Sequence, residues 1–252
     1  MNWKSLLRPA HASRPIPRPH GPVDALIMAG GRGKRLRPMT DDSPKPLLPV
    51  GDRPIIDWMV QRLMLAGIRR LFVSVGYKSE AVKQHFLSHA PAELIVEFIE
   101  EAAPMGTLWA ARNVPPTEAS DLLVVNADIL TDLDFSAFIR HYFEKGCDVQ
   151  VATRPFEIHV PYAVMDLAGE TVLGLEEKPT LRYFHNAGIY LFRKELASLI
   201  PEQTPCDAPD FVQNLIHEGA SVMQYPILGY WMDVGRPGDF EKAQDDIQYL
   251  QF

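Results

Sequence analysis

A short apolar run, residues 25–29, passes directly into three glycines within four residues, Gly30, Gly31 and Gly33. A buried strand ending this way commits the chain to a sheet whose edge opens on bare backbone N–H groups, because glycine turns sharply with no Cβ in the way. Four cations, Arg32, Lys34, Arg35 and Arg37, crowd the same turn, although the 252-residue chain carries a net charge of −7. A locally positive glycine loop after a buried strand points to a phosphate site. Two familiar phosphate motifs do not fit it. A P-loop needs glycine where Met28 stands and Ser or Thr where Arg35 stands, and a dinucleotide fingerprint needs a small residue in place of Leu36. A glycine turn by itself is also what any tight strand–helix connection uses. Arg35 and Lys45 favour the phosphate reading, since arginine forks onto phosphate oxygens and lysine supplies a compact cation.

Downstream, the pattern alternates. Strand-type runs at 23–28, 71–75, 94–99, 122–125 and 149–153 are separated by helical segments at 55–66, 81–89, 107–112 and 135–145. Such alternation with short connections predicts right-handed βαβ units and a Rossmann-like, mixed but mostly parallel sheet flanked by helices, an α/β fold. The C-terminal half reads differently. Residues 162–166 and 172–177 flank Ala168-Gly169 as a small inserted hairpin, strands follow at 188–192 and 222–225, and helices at 211–218 and 239–250. Residues 1–22 hold five prolines among Arg and His and read as a flexible segment. The rest, 23–252, reads as one domain with a nucleotide-sized half (23–153) and a second half (154–252).

Apolar residues make up 46% and charged residues 23%, ordinary for a globular core. The acidic balance argues against a nucleic-acid or membrane-surface partner, though not against a small anion held by local charge. Two distant cysteines, Cys147 and Cys206, fit a reducing cytoplasm without structural disulfides or zinc. No apolar run reaches transmembrane length, and no signal-peptide core follows the basic N-terminus.

The motifs become specific together. Gly30-Gly31-x-Gly33-x-Arg35-Leu36 and Pro44-Lys45-Pro46-Leu47-Leu48-Pro49-Val50-Gly51 are followed, in order, by Pro104-Met105-Gly106-Thr107, Asn126-Ala127-Asp128, Glu176-Glu177-Lys178-Pro179, Asn186-Ala187-Gly188 and Trp231-Met232-Asp233-Val234-Gly235. Over residues 23–250 this resembles the sugar-1-phosphate nucleotidylyltransferases, closest in appearance to the branch that uses GTP and hexose or amino-sugar 1-phosphates. The resemblance implies a GT-A-like nucleotidyltransferase fold. It implies transfer of a nucleoside monophosphate from a triphosphate to a sugar 1-phosphate, with pyrophosphate leaving and Mg²⁺ as cofactor. Two anions must meet in that reaction, so positioning and charge neutralisation dominate.

By resemblance, Asp128 and Asp233 hold the metal, Arg35 the β- and γ-phosphates, and Lys45 the α-phosphate. Ala29, Gly30, Gly31, Gly33, Lys34, Gly106 and Thr107 line the nucleotide, with Glu101 where the family reads the base. Ala163, Glu177, Lys178 and Asn186 fall on the sugar-phosphate side. A carboxylate at 101 suits the donors of guanine, which favours GTP, while UTP, dTTP and CTP stay open; so does a catalytically silent, nucleotide-sugar-binding regulator. A homo-oligomer is compatible with the reading. The chain departs from the family pattern at Lys34, Leu108-Trp109, Ala127 and Ala163. Trp109 either narrows the pocket or packs in a helix. Asp134 is expected to cap the helix that follows it. His85 and His89, four apart, are expected to be a solvated helix end without an acidic partner.

Overall fold

The computed structural model describes Arg18 and residues 20–250. Most of the proline-rich segment expected at 1–22 therefore lies outside the described residues. Arg18 itself is bound to the domain. Its guanidinium pairs with Asp121 at 2.9 Å and sits 4.8 Å over the Tyr142 ring, so contact with the domain begins before Val23.

In chain order the first half contains β1 (Val23–Met28), α1 (Met39–Asp42), β2 (Pro49–Val50), β3 (Arg53–Pro54), α2 (Ile55–Leu65), β4 (Arg70–Val75), α3 (Ser79–His89), β5 (Ile95–Glu100), β6 (Asp121–Asn126), β7 (Ile129–Thr131) and α4 (Phe135–Lys145). The second half adds β8 (Val149–His159), β9 (Val164–Ala168), β10 (Thr171–Glu176), β11 (Thr180–Arg193), α5 (Ala208–His217), β12 (Val222–Pro226), β13 (Trp231–Asp233) and α6 (Pro237–Ile247). Seven strands form the main sheet in the order β12-β8-β11-β6-β1-β4-β5. Only β11 runs against its neighbours; β1 is parallel to both β4 and β6. This is the mixed, mostly parallel sheet with flanking helices that the alternating pattern predicts.

Both sheet faces are covered, which is why the central strands are apolar on both sides. Ala25 and Ile27 of β1 point into the core shared with α2, α3 and α4, and Leu26 points into the opposite core with Ala110, Leu196, Phe211 and Leu215. Helix α4 shows how sequence dictates this locally. Asp134 accepts the Ala137 N–H at 2.9 Å, the cap expected of it, and Gly146 ends the helix in a left-handed conformation. Between them Phe135, Phe138, Ile139, Tyr142 and Phe143 are all buried. At about 1.5–3 kcal/mol per buried large side chain, that face supplies what an isolated eleven-residue helix lacks.

Three local expectations change. Residues 107–112 do not open an α-helix; a 3₁₀ turn, Trp109–Asn113, stands there, its Trp109 indole donating to the Glu202 carbonyl at 3.0 Å. Trp109 therefore packs rather than narrows a pocket. Strands β8 and β11 run well past the buried segments 149–153 and 188–192, leaving the sheet as a two-stranded ribbon. His85 does have an acidic partner: Asp57, in the first turn of α2, lies 2.7 Å from its Nε2. The facing of α2 and α3, invisible to helical periodicity, creates that pair. Among the described residues no helix is long and apolar enough to cross a membrane.

Candidate active site

The strand C-termini of β1, β4 and β6 open on one edge, the place where a doubly wound sheet leaves a crevice. The glycine loop after β1 is held open there by its own carbonyls. Tyr77 N–H donates to the Gly30 carbonyl at 3.2 Å, and the Thr40 hydroxyl to the Gly33 carbonyl at 3.0 Å. Gly33 has φ +59°, and a Cβ there would lie 2.9 Å from Thr40 Cγ2 and 3.1 Å from Lys45 Cβ. Only glycine allows the loop to lie this close to Lys45.

Two adjoining clefts result. The larger, about 810 Å³, is lined by Gly30, Gly31, Gly33, Lys34, Glu101, Gly106, Thr107, Asn126 and Asp128, among others. The smaller, about 270 Å³, is lined by Ala29, Arg35, Lys45, Asp128 and Gly235 and shares the glycine loop. The nucleotide-side residues expected from the sequence thus come together, although they span residues 29–107 of the chain.

Asp233 reaches this edge from the far half. The antiparallel pair of β7 and β13 sets Asp233 opposite Ile129, and Val234 N–H donates to the Asp128 carbonyl at 2.9 Å. The ladder is pinned by the Thr131 hydroxyl on the Tyr230 carbonyl (2.8 Å) and by the Trp231 indole on the Ala187 carbonyl (2.9 Å). Lys45, nearly buried, forms an ion pair with Asp128, and its Nζ lies 3.6 Å from Asp233 Oδ1. The Arg35 guanidinium closes the group beside Gly235 and Asp233. Burial and the neighbouring Asp128 charge push the Asp233 carboxyl above the ordinary aspartate range, against the pull of Lys45 and Arg35.

One oxygen of each carboxylate, Asp128 Oδ1 and Asp233 Oδ1, is buried without a hydrogen-bond partner. Buried carboxylate oxygens without a hydrogen bond call for a donor or a cation, and for Asp233 Oδ1 the Lys45 ammonium at 3.6 Å answers that call only in part. Two carboxylates beside a phosphate-sized cleft fit a hard divalent cation that takes its other ligands from phosphate and water. Among the described residues no group of three or more His, Cys, Asp or Glu is gathered for a metal.

Glu101, half-buried, lies against Gly30, accepts from the Ser74 hydroxyl, and lines the larger cleft. Burial outweighs the hydrogen bonds from the Ser74 hydroxyl and the Met105 backbone and raises its carboxyl above the ordinary range. The adjoining wall, Pro104 to Thr107, is latched to the start of α5, a connection no sequence signal announced. Cys206 N–H donates to the Met105 carbonyl at 2.8 Å, and Asp207 Oδ1 accepts from the Thr107 N–H (2.8 Å) and hydroxyl (3.2 Å). Gly106 has φ +87°, and a Cβ there would sit 2.5 Å from the Cys206 carbonyl oxygen, so the latch requires glycine.

The sugar-side residues are placed less compactly. Asn186 sits near the edge with its amide engaged, donating to the Tyr190 hydroxyl and accepting from the Gly188 N–H. Ala163, Glu177 and Lys178 are exposed on the segments that join β8, β9, β10 and β11. Among the described residues, no hydrogen bond or ion pair ties Glu177 or Lys178 to the carboxylate pair.

The family described as nucleotidyl transferase matches residues 24–249. A putative mannose-1-phosphate guanyltransferase of Sulfolobus acidocaldarius is 30% identical over 237 residues, 91% of this chain and 64% of that protein. The bifunctional protein GlmU of Methanocaldococcus jannaschii is 30% identical over 88% of this chain and 53% of its own length. The chain thus spans between about half and two thirds of these curated relatives. Among solved structures, HddC from Yersinia pseudotuberculosis superposes with a TM-score of 0.69 at 26% identity, covering 89% of this chain and 99% of HddC. HddC has also been solved complexed with GMP-PN.

Proposed function

This chain belongs to the nucleotidyl transferase family, and from that premise we propose that it joins a nucleoside monophosphate, from GTP, to a sugar 1-phosphate. A phosphate oxygen of the sugar 1-phosphate attacks the α-phosphorus in line. The bond from that phosphorus to the β-bridging oxygen breaks, and pyrophosphate leaves with the electron pair. No covalent enzyme intermediate and no proton transfer are required. The observation that carries the reading is Lys45 set between Asp128 and Asp233, with Arg35 beside them, at the mouth of a glycine-lined cleft.

Each group then has a task. Glycine-loop N–H groups and Lys34 bind the triphosphate tail. Arg35 neutralises the β- and γ-phosphates and the charge that grows on the departing pyrophosphate. Lys45 offers its ammonium to the α-phosphate oxygens, where charge must be offset as the fifth oxygen approaches. Asp128 and Asp233 would hold Mg²⁺, which when bound would shield the meeting anions. Lys178 and Glu177 take the phosphate and hydroxyls of the sugar, with Asn186 and Ala163 lining that side.

GTP is favoured on two grounds. Glu101 presents an acceptor where guanine N1–H and N2–H₂ would lie. Relatives bearing guanyltransferase names, and HddC with its GMP-PN, point the same way and suggest mannose 1-phosphate as the first sugar to try. The buried free thiols of Cys147 and Cys206 support a reducing, cytoplasmic setting. A pyrophosphate-release screen crossing GTP, UTP, dTTP and CTP with mannose, glucose, glucosamine and heptose 1-phosphates tests the reading. The strongest turnover is expected with GTP, and preference for a pyrimidine triphosphate would overturn the base assignment.

A further inference from the structure

Strand β11 does not pass the site in regular register. Asn186 lies opposite Thr153 of β8 and Tyr190 opposite Val151, so a four-residue step along β11 is matched to a two-residue step along β8. In a regular strand, side chains four positions apart stand roughly 13 Å from each other. The bulge closes that distance, and the Asn186 amide donates from Nδ2 to the Tyr190 hydroxyl. Gly188, inside the bulge with φ +71°, allows the compaction. A Cβ there would sit 2.7 Å from Asn126 Nδ2 and 2.9 Å from Ile129 Cδ1. The bulge therefore rests against the end of β6, beside the Asn126-Ala127-Asp128 turn.

Both ends of the Asn186 amide are engaged across the bulge. Oδ1 accepts the Gly188 N–H at 2.9 Å, while Nδ2 gives one proton to Tyr190. A flipped amide would turn its NH₂ onto the Gly188 N–H, donor against donor, so one orientation is selected. An amide side chain has two donor protons and two acceptor positions. What Asn186 has left is one N–H and one lone pair. That combination suits a hydroxyl, which both donates and accepts.

Tyr190 is itself fixed. It is 5% exposed and belongs to the core that also holds Leu26, Leu108 and Cys206. Burial pushes its phenol above the ordinary range and the Asp207 charge adds to this, so the hydroxyl stays protonated. The reaction proposed above gives it no task. Among the described residues, the bond from Asn186 is the only hydrogen bond of its side chain. Burying a polar group costs stability unless it is hydrogen-bonded, and phenylalanine would pack as well. The hydroxyl is therefore kept for Asn186.

On the reading that Asn186 faces the sugar, we infer that Tyr190 is a positioning residue for the sugar 1-phosphate. Its hydroxyl fixes the Asn186 amide so that the remaining N–H and lone pair meet one hydroxyl of the sugar. Tyr190 touches neither substrate; it acts through Asn186.

Steady-state pyrophosphate release by the full chain tests this, with the triphosphate and sugar 1-phosphate pair that turns over fastest. Tyr190→Phe should raise KM for the sugar 1-phosphate roughly two- to tenfold, as expected for the loss of one neutral hydrogen bond, and leave KM for the triphosphate within about twofold. Circular dichroism should be unchanged. Asn186→Ala should raise the same KM at least as far, and adding Y190F to N186A should change little more, because the two residues act as one unit. Unaltered sugar kinetics in Y190F overturn the proposal. So does an equal loss toward the triphosphate, or a Y190F effect that persists in the N186A background. Absence of turnover with every pair overturns the reaction itself, and this proposal with it.

Discussion

Glu101→Gln is the change that separates the base-reading role proposed for Glu101 from a structural one. The carboxylate is half-buried, held by Ser74 and facing the larger cleft, so its geometry is set before nucleotide arrives. Glutamine keeps the shape but replaces one acceptor oxygen with an NH₂ donor, which would meet the donors of guanine. A hydrogen bond to a charged group is worth about 1.5–3 kcal/mol, which corresponds to a fall of roughly 10- to 150-fold in kcat/KM for GTP. The loss should appear when GTP is varied at saturating sugar 1-phosphate, with kinetics toward the sugar phosphate little altered. Stability should move the other way. Burial raises the folded-state pKa of Glu101, so the folded protein holds that proton more tightly than the unfolded chain. Ionising the buried group therefore costs stability, a cost that grows as pH rises through the ordinary glutamate range and up to the folded value. The glutamine variant escapes it, so its unfolding midpoint at neutral pH should be no lower than that of the unaltered chain, and any advantage should vanish in acid. Unaltered GTP kinetics in a folded E101Q protein would refute the base-reading role.

Other outcomes follow from the same geometry. Asp207→Ala removes both acceptor contacts to Thr107, at about 1 kcal/mol each, so KM for the triphosphate should rise at least tenfold with kcat largely kept; Asp207→Asn, which retains an acceptor oxygen, should recover much of it. Gly33→Ala forces a left-handed alanine into contact with Thr40 and Lys45; a cost of about 1–2 kcal/mol should lower Tm by a few degrees and weaken triphosphate binding. Asp128→Asn should lower kcat by roughly a hundredfold or more, and EDTA should abolish turnover until Mg²⁺ is restored, checked by pyrophosphate release.

The fold was largely legible because its signals are local. The helical face of α4, its Asp134 cap and the glycine turn after β1 each lie within a dozen residues, where periodicity and capping chemistry act. The ribbon was missed because only the buried halves of β8 and β11 carry a core pattern, whereas the side chains of their outer halves are largely exposed. The site was legible in parts. Gly33, Arg35 and Lys45 follow from charge and backbone chemistry, while Asp233 was reached only through resemblance. Its approach to Asp128 depends on the β7–β13 ladder between residues about a hundred positions apart, and such pairing leaves no local trace. The latch of Thr107 on Asp207 and the Asp57–His85 pair are long-range in the same sense.

The central claim is cleavage between the α- and β-phosphates with transfer of the nucleotidyl group. Its most direct measurement is the fate of label from GTP radiolabelled at the α- or at the γ-phosphorus, incubated with mannose 1-phosphate, Mg²⁺ and the purified chain. The α-label should appear in a sugar nucleotide and the γ-label in pyrophosphate. Release of γ-label as orthophosphate, its transfer to the sugar, or α-label that never leaves the guanosine nucleotides would contradict the account.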